Sequence, residues 1–420
     1  MVEALPASTQ RMRPENDQGL KYYYHSTQRI ASFLTVACVL CLVAYSLYIY
    51  MVVQRDIVVL AHHVTSGGET LDSVLISSIL GTFLTALPAV LLFRFYSFPI
   101  RLKAVATLPS FVILGILTGI RMNSIHEPDI YISVFPGLVM MLVAVISCFV
   151  TLTMHENHAE HHTVPHYLGS NLLILSLGIL LFVTITNHDR ELHDQLYVER
   201  LMQQGKTHKA LESATDNTVQ NRNITSMHVL ALSLEGRMAD ELFSLPGLTG
   251  SESLIPDTTL VSRLYQAPHM VARHIHATVM PGARITASRF LEKAVEMRLQ
   301  AKADTTQAKS TMPDIQPLAD YYLCSLLLDR KLSEFATKLP MFYTVSDAMP
   351  RHYREAYILA QRRHVNVGQV LEDEEITTAI TDFLQIMAKN AKYPDLQRKS
   401  CLDMYEGTYW AYYFFMKNQH

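Results

Sequence analysis

The chain has 420 residues, of which 49% are apolar and only 17% charged, a balance displaced from ordinary soluble proteins toward the membrane class. Its formal net charge of −3 supplies no basic footprint for phosphate contacts, which excludes nucleic acid as an expected partner. Five cysteines (Cys38, Cys41, Cys148, Cys324, Cys401) are scattered, three of them in apolar stretches, so they spell neither a zinc ribbon nor a disulfide framework and read as small buried hydrophobes.

Nearly all of the apolar excess lies before Asn187, and the composition shift there divides the chain into a polar head (1–31), a membrane domain (32–187) and a soluble domain (188–420). Five stretches, Ser32 to Val53, Ser73 to Phe93, Ala104 to Ile120, Tyr131 to Met154 and Leu168 to Thr186, approach the roughly 20 residues that a helix needs to cross a bilayer. In hydrocarbon no water satisfies backbone groups, so each must be helical. The third is the shortest. As drawn, none of the five contains Asp, Glu, Lys or Arg, which disfavours a charge-coupled transport path.

Orientation follows from the basic residues. Arg11, Arg13, Lys21 and Arg29 precede the first span and Arg94, Arg101 and Lys103 follow the second, while the loops after the first and third carry only Arg55 and Arg121. The amino terminus is therefore expected in the cytoplasm, with the first span an uncleaved signal anchor, and an odd number of spans would put the soluble domain in the periplasm of a Gram-negative cell.

From Asp189 onward the apolar spacing is helical. Met227, Leu230, Ala231 and Leu234 form one stripe, Tyr353, Ala356, Tyr357 and Ala360 a second, and Ile376, Ala379, Ile380, Phe383, Leu384 and Met387 a third. GKTHKAL from Gly205 and GRMADEL from Gly236 resemble each other at an offset of 31 residues. A glycine that ends one helix and opens the turn into its partner is the unit of tetratricopeptide-like repeats, whose period is about 34 residues. Helices at Thr286 to Gln300, Pro317 to Asp329 and His352 to Arg362 would continue the stack, interrupted by an exposed loop from Ala301 to Asp314. The expected fold is all-α: a bundle of about five transmembrane helices followed by a helical-repeat domain.

Few residues invite a chemical role. The string HENHAEHHTVPH between the fourth and fifth spans places His155, His158 and His162 on one helical face, where neutral imidazoles could hold a metal, although its spacing misses HExxH by one residue. The bland alternative is an interfacial loop of polar rings. His62 and His63, with Ser66, Gly67 and Gly68, read as a surface turn. The run from Tyr409 to Phe415 fits a membrane-interface belt or, more commonly, the core side of a last helix. No phosphate loop, dinucleotide fingerprint or nucleophile elbow occurs, so no catalytic residue and no cofactor is assigned. Cys324 and Cys401 lie outside the spans, and an oxidising compartment would permit a disulfide between them.

The segments HHVTSGGET (62–70), LPSFVILGILTGI (108–120), SLEGRMADELF (233–243), DYYLCSLLLDRKL (320–332), PRHYREAYIL (350–359) and GTYWAYYF (407–414) resemble those of an uncharacterised multi-pass membrane family, a domain of unknown function found mainly in Bacteroidales. The resemblance implies a Gram-negative inner membrane and no activity, and against its pattern 301–314 looks like an insertion. A membrane-anchored scaffold, binding the bilayer through its spans and a protein or peptide through its helical domain, is the leading expectation. The alternatives are a metal-handling protein using 155–166 and an enzyme of envelope metabolism.

Overall fold

A computed structural model describes residues 14–65, 73–123, 129–132, 137–138, 141–142, 145, 164–213, 221–256, 267–277, 285–304 and 314–415. The chain forms two compact units, one ending at His188 and the other beginning at Asp189.

In the first unit, α1 runs from Pro14 to Tyr48 and continues as a π-helical turn, Ile49–Val53; α2 spans Arg55–Thr65 and α3 Val74–Phe95. A 3-10 segment, Ile100–Thr107, leads into α4, Leu108–Thr118. Two short antiparallel strands follow, β1 (Ile120–Asn123) and β2 (Asp129–Ile132), paired Ile120 to Ile132, and α5 spans Val164–Ile185. Four helical stretches among the described residues are long and apolar enough to cross a membrane: Gln28–Val53, Val74–Phe95, Ile100–Thr118 and Val164–Ile185.

Several expected boundaries move. The polar head is not separate from the first helix, because α1 already begins at Pro14. The third apolar helix begins at Ile100, four residues earlier than expected, and so takes in Arg101 and Lys103; α3 extends to take in Arg94. Charges therefore do sit in these helices, all near their ends. Tyr131 and Ile132, expected to open the fourth span, belong instead to β2, and Ile120, expected to close the third, to β1; this strand pair is the one departure from an all-α architecture among the described residues. The rest of that span lies largely outside the described residues, so five crossings are not established. Pro109 stands in the first turn of α4, where its missing N–H costs nothing, whereas Pro88 is inside α3. The α4 and α5 helices approach closely because Gly178 presents no side chain to the Phe111 ring. Leu42, Ala89, Phe111, Leu114 and Phe182 fill the centre of this unit.

The second unit contains α6 (Arg190–Gln203), α7 (Thr207–Glu212), α8 (Arg222–Leu234), α9 (Met238–Glu241), α10 (Ala267–His274), α11 (Ala287–Asp304), α12 (Gln316–Leu328), α13 (Leu332–Lys338), α14 (Arg351–Arg362), α15 (Glu374–Lys389), α16 (Pro394–Tyr405) and α17 (Tyr409–Phe415). Local chemistry sets the starts. Asp189 accepts from the Leu192 N–H, Asn221 from those of Asn223 and Ile224, and Asp373 from that of Ile376, each satisfying amides that the helix leaves unpaired. Three helices, α8, α12 and α14, are buried along most of their length and form the interior, although α14 is amphipathic and carries Arg351, Arg354, Glu355 and Arg362. The 301–314 loop is shorter than expected, since 301–304 continue α11; residues 305–313 lie outside the described residues.

The ends of these helices follow one rule. After α6, α8, α10, α12 and α14 a residue turns left-handed, at Gly205, Gly236, His276, Arg330 and His364, with φ between 52° and 69°. Each time the residue after it donates to the helix carbonyl five residues back: Lys206 to Leu201, Arg237 to Leu232, Ala277 to Ala272, Lys331 to Leu326 and Val365 to Ala360. This double bond pattern consumes carbonyls that would otherwise be orphaned and reverses the chain. In three cases the chain re-enters a short second helix almost at once, giving the hairpins α6–α7, α8–α9 and α12–α13.

Candidate functional site

Most of the residues singled out from the sequence for a chemical role lie outside the described residues. His155, His158 and His162 lie outside the described residues, as do Ser66, Gly67 and Gly68, while His62 and His63 sit in α2. Among the described residues no group of three His, Cys, Asp or Glu side chains could hold a metal ion. Cys324 and Cys401 are both buried free thiols, so they form no disulfide, and Cys41, expected to be buried, is exposed. The aromatic run from Tyr409 is interior: Tyr409, Trp410, Ala411 and Tyr412 are buried, Phe383 lies among Tyr405, Trp410, Phe414 and Phe415, and Arg363 stacks over Tyr413 and Phe414. Of the two readings of that run, the core side of a last helix holds.

What the structure assembles instead is a pair of carboxylate networks on α12 and α14. On α12, the Asp320 carboxylate accepts from Tyr343 Oη at 2.6 Å and Tyr353 Oη at 2.9 Å, and the Tyr353 hydroxyl lies 3.7 Å from Cys324 Sγ. Burial pushes the Asp320 carboxyl above its ordinary range, against the opposing effect of the two tyrosine donors. Burial likewise pushes the Cys324 thiol and both tyrosine hydroxyls up, so all three remain protonated at neutral pH. Cys324 is thereby an inert core thiol, not a nucleophile.

Two residues beyond Tyr353 on α14 the second network centres on Glu355, which is 1% exposed. Its Oε1 accepts from Arg351 Nε at 2.8 Å; its Oε2 accepts from the Tyr409 backbone N–H at 2.8 Å and pairs with His352 Nδ1 at 3.0 Å. The imidazole is packed edge-on against Phe243. Glu355 thus ties its own helix to the first turn of α17. Alongside it, Arg354 pairs with Asp373, the residue that caps α15.

Sequence reasoning missed all of these groups. Their signal was present in two quoted segments, DYYLCSLLLDRKL and PRHYREAYIL, each of which sets a carboxylate inside an otherwise apolar helical run. Such a residue must be paired if the helix is surrounded on every side. Chemically, the networks hold helices together. Their acceptors are occupied by side chains and amides of the same unit, and they present neither an activated nucleophile nor an open general base.

The class is now defined: a helical chain in which four apolar helices of membrane-spanning length are joined to a separate unit built of capped helix hairpins. The model of DUF6057, a family of unknown function, matches residues 19–276 and 284–416, and the chain belongs to that family. No curated protein and no solved structure matches it.

Proposed function

We propose that this protein is a multi-pass protein of the bacterial inner membrane whose helical unit, outside the cytoplasm, is a tetratricopeptide-like scaffold for a protein or peptide partner. The observation that carries it is the recurrence of one left-handed turn at five helix ends, three of them opening a second helix. That is the construction of a stacked-hairpin array, in which each unit buries its apolar face on the next and leaves a continuous outer surface for binding. The spacing from Gly205 to Gly236 is 31 residues and from Arg330 to His364 is 34, the first three short of the expected period of about 34 and the second equal to it. The last long helix before the aromatic end, α16, buries only Cys401 and leaves Leu396 and Met404 exposed beside Tyr393, apolar area that suits a partner.

The side of the membrane rests on the distribution of arginine and lysine, which gathers at the start of α1 and around Arg94 to Lys103. The test is purification from native membranes with and without residues 189–420. A protein recovered in fixed ratio with the full chain and lost with the truncated one supports the scaffold. Recovery of the full chain alone, after gentle cross-linking, refutes it. Reporters fused after Arg101 and after Asn187 check the orientation, the first expected to work only inside the cytoplasm and the second only outside.

A further inference from the structure

The buried side of α1 recurs every four residues: Leu34, Cys38, Leu42, Ser46, Tyr50 and Gln54. It packs on α3, whose buried residues are Ser78, Thr82, Thr85, Ala86 and Ala89. The seam therefore changes character along its length. At Leu42, in the last third of α1, it is apolar, Leu42 sharing the core with Ala89. Beyond Leu42 it is polar on both sides, with Ser46 on α1, Tyr50 in the π turn and Gln54 at its end facing Ser78, Thr82 and Thr85 of α3.

Two contacts fix this register. The Tyr50 ring lies over Gly81, where a methyl group would stand 2.9 Å from it, and Tyr50 Oη is 3.0 Å from Thr85 Oγ1. The Thr85 hydroxyl gives its single proton to the Gly81 carbonyl, so Tyr50 must be the donor in that pair. The π turn at Ile49–Val53 falls in this stretch, a distortion found mostly where a helix does something other than pack.

Four oxygens in the polar stretch have no hydrogen-bond partner among the described residues: Ser46 Oγ, Gln54 Oε1, Ser78 Oγ and Thr82 Oγ1. Their residues are 0%, 3%, 1% and 7% exposed. Hydroxyls on helices usually return to the carbonyl three or four residues back, as Thr35, Thr85 and Thr118 do here, yet Ser46, Ser78 and Thr82 do not. Each unsatisfied buried group costs about 1–3 kcal/mol, and four along one interface would oppose the packing they sit in.

We propose that this half of the α1–α3 seam, closely packed in this structure, opens to admit water as a crevice, entering the membrane domain at the Gln54 and Ser78 end and closing where Tyr50 and Thr85 give way to Leu42 and Ala89. The seam's side chains are neutral, with no carboxylate or ammonium to compensate an ion, so the ligand is water, which can both donate to the free oxygens and accept from hydroxyls. At about 1.5 Å per residue, Thr82 lies about 12 Å along α3 from Val74 and Thr85 about 16 Å, near mid-depth of a core about 30 Å thick. Neighbouring residues on the same helix but a different face, such as Phe83 at 65% exposure, meet lipid instead.

The inference rests on α3 crossing the membrane, and the test separates the two. Ser78→Cys, Thr82→Cys, Phe83→Cys and Ala89→Cys are made in the full chain and treated in opened membranes with a small charged methanethiosulfonate, against the background of the native thiols. The crevice requires Ser78→Cys and Thr82→Cys to react at least about tenfold faster than Phe83→Cys and Ala89→Cys. Rapid reaction of Phe83→Cys overturns the membrane placement of α3. Slow reaction at both Phe83→Cys and Thr82→Cys keeps the span and overturns the crevice, leaving the hydroxyls turned back onto their own helix. A single symmetric peak for each variant on size-exclusion chromatography in mild detergent, as for the native chain, identifies variants that have kept their fold.

Discussion

Replacing Glu355 by alanine removes the acceptor on which three groups converge. The Arg351 partner is half exposed, so that ion pair contributes only about 0–1 kcal/mol. The other two are enclosed. The Tyr409 amide would lose its acceptor, at about 1–3 kcal/mol, and His352 would lose its Nδ1 partner while Nε2 already has none. With incomplete additivity, Glu355→Ala should cost about 3–5 kcal/mol, whereas Glu355→Gln keeps one carbonyl acceptor for the Tyr409 amide and should cost about 1–2 kcal/mol. The chain's single tryptophan, Trp410, is 2% exposed and adjacent to that amide, so its fluorescence during urea titration reports the element concerned. At a slope of about 2–3 kcal/mol per molar, the alanine variant's midpoint should fall by about 1–2 M. A loss below about 1 kcal/mol, or equal losses for alanine and glutamine, would show that Glu355 does not hold α17 in place.

Two further outcomes use the same titration. Asp320 has its folded-state pKa raised by burial, so the stability it contributes is fully present below about 3.8, its ordinary value, and is lost as pH rises through the higher folded value. The advantage of the native chain over Asp320→Asn should accordingly shrink as pH rises above about 3.8; a pH-independent difference would refute the assigned shift. At the left-handed turns, His364→Gly should gain about 0.5–1 kcal/mol, because relief of strain at φ 56° exceeds the entropy that glycine loses, while Gly205→Ala, at φ 68° with open space around it, should lose about 1 kcal/mol. The same sign for both would mean that backbone conformation is not what selects these residues.

How much could be read beforehand depended on whether a feature is carried by neighbours in sequence or by neighbours in space. The α3 and α5 helices were legible because an unbroken apolar run of this length has few other solutions. Helix α1 was legible only in its apolar part; hydropathy carries no information about the polar turns from Pro14 that continue it. At the third segment the boundary was placed after the last charge, but a helix tolerates Arg101 and Lys103 in an opening 3-10 stretch where long side chains reach out of the hydrocarbon. Two of the five left-handed turns carry glycine and were visible as the GKTHKAL and GRMADEL pair. The remaining three are occupied by His276, Arg330 and His364, and nothing in those residue types announces φ > 0, so the 34-residue interval from Arg330 to His364 stayed hidden.

The carboxylates were missed for a related reason with more bearing on function. A charge in a helical stripe ordinarily marks the side that faces solvent, and Glu355 between Tyr353 and Ala356 looks like the edge of such a face. In the folded unit α14 has no such face over 355–360, because α13, α15 and α17 surround it. Glu355 therefore has to be matched by groups from elsewhere, and the match comes from the Tyr409 amide, 54 residues away. Asp320 is matched in the same way by Tyr343 and Tyr353. Buried charges paired across such distances fix which helix lies against which, since sliding one helix by a turn would strand a carboxylate among apolar side chains.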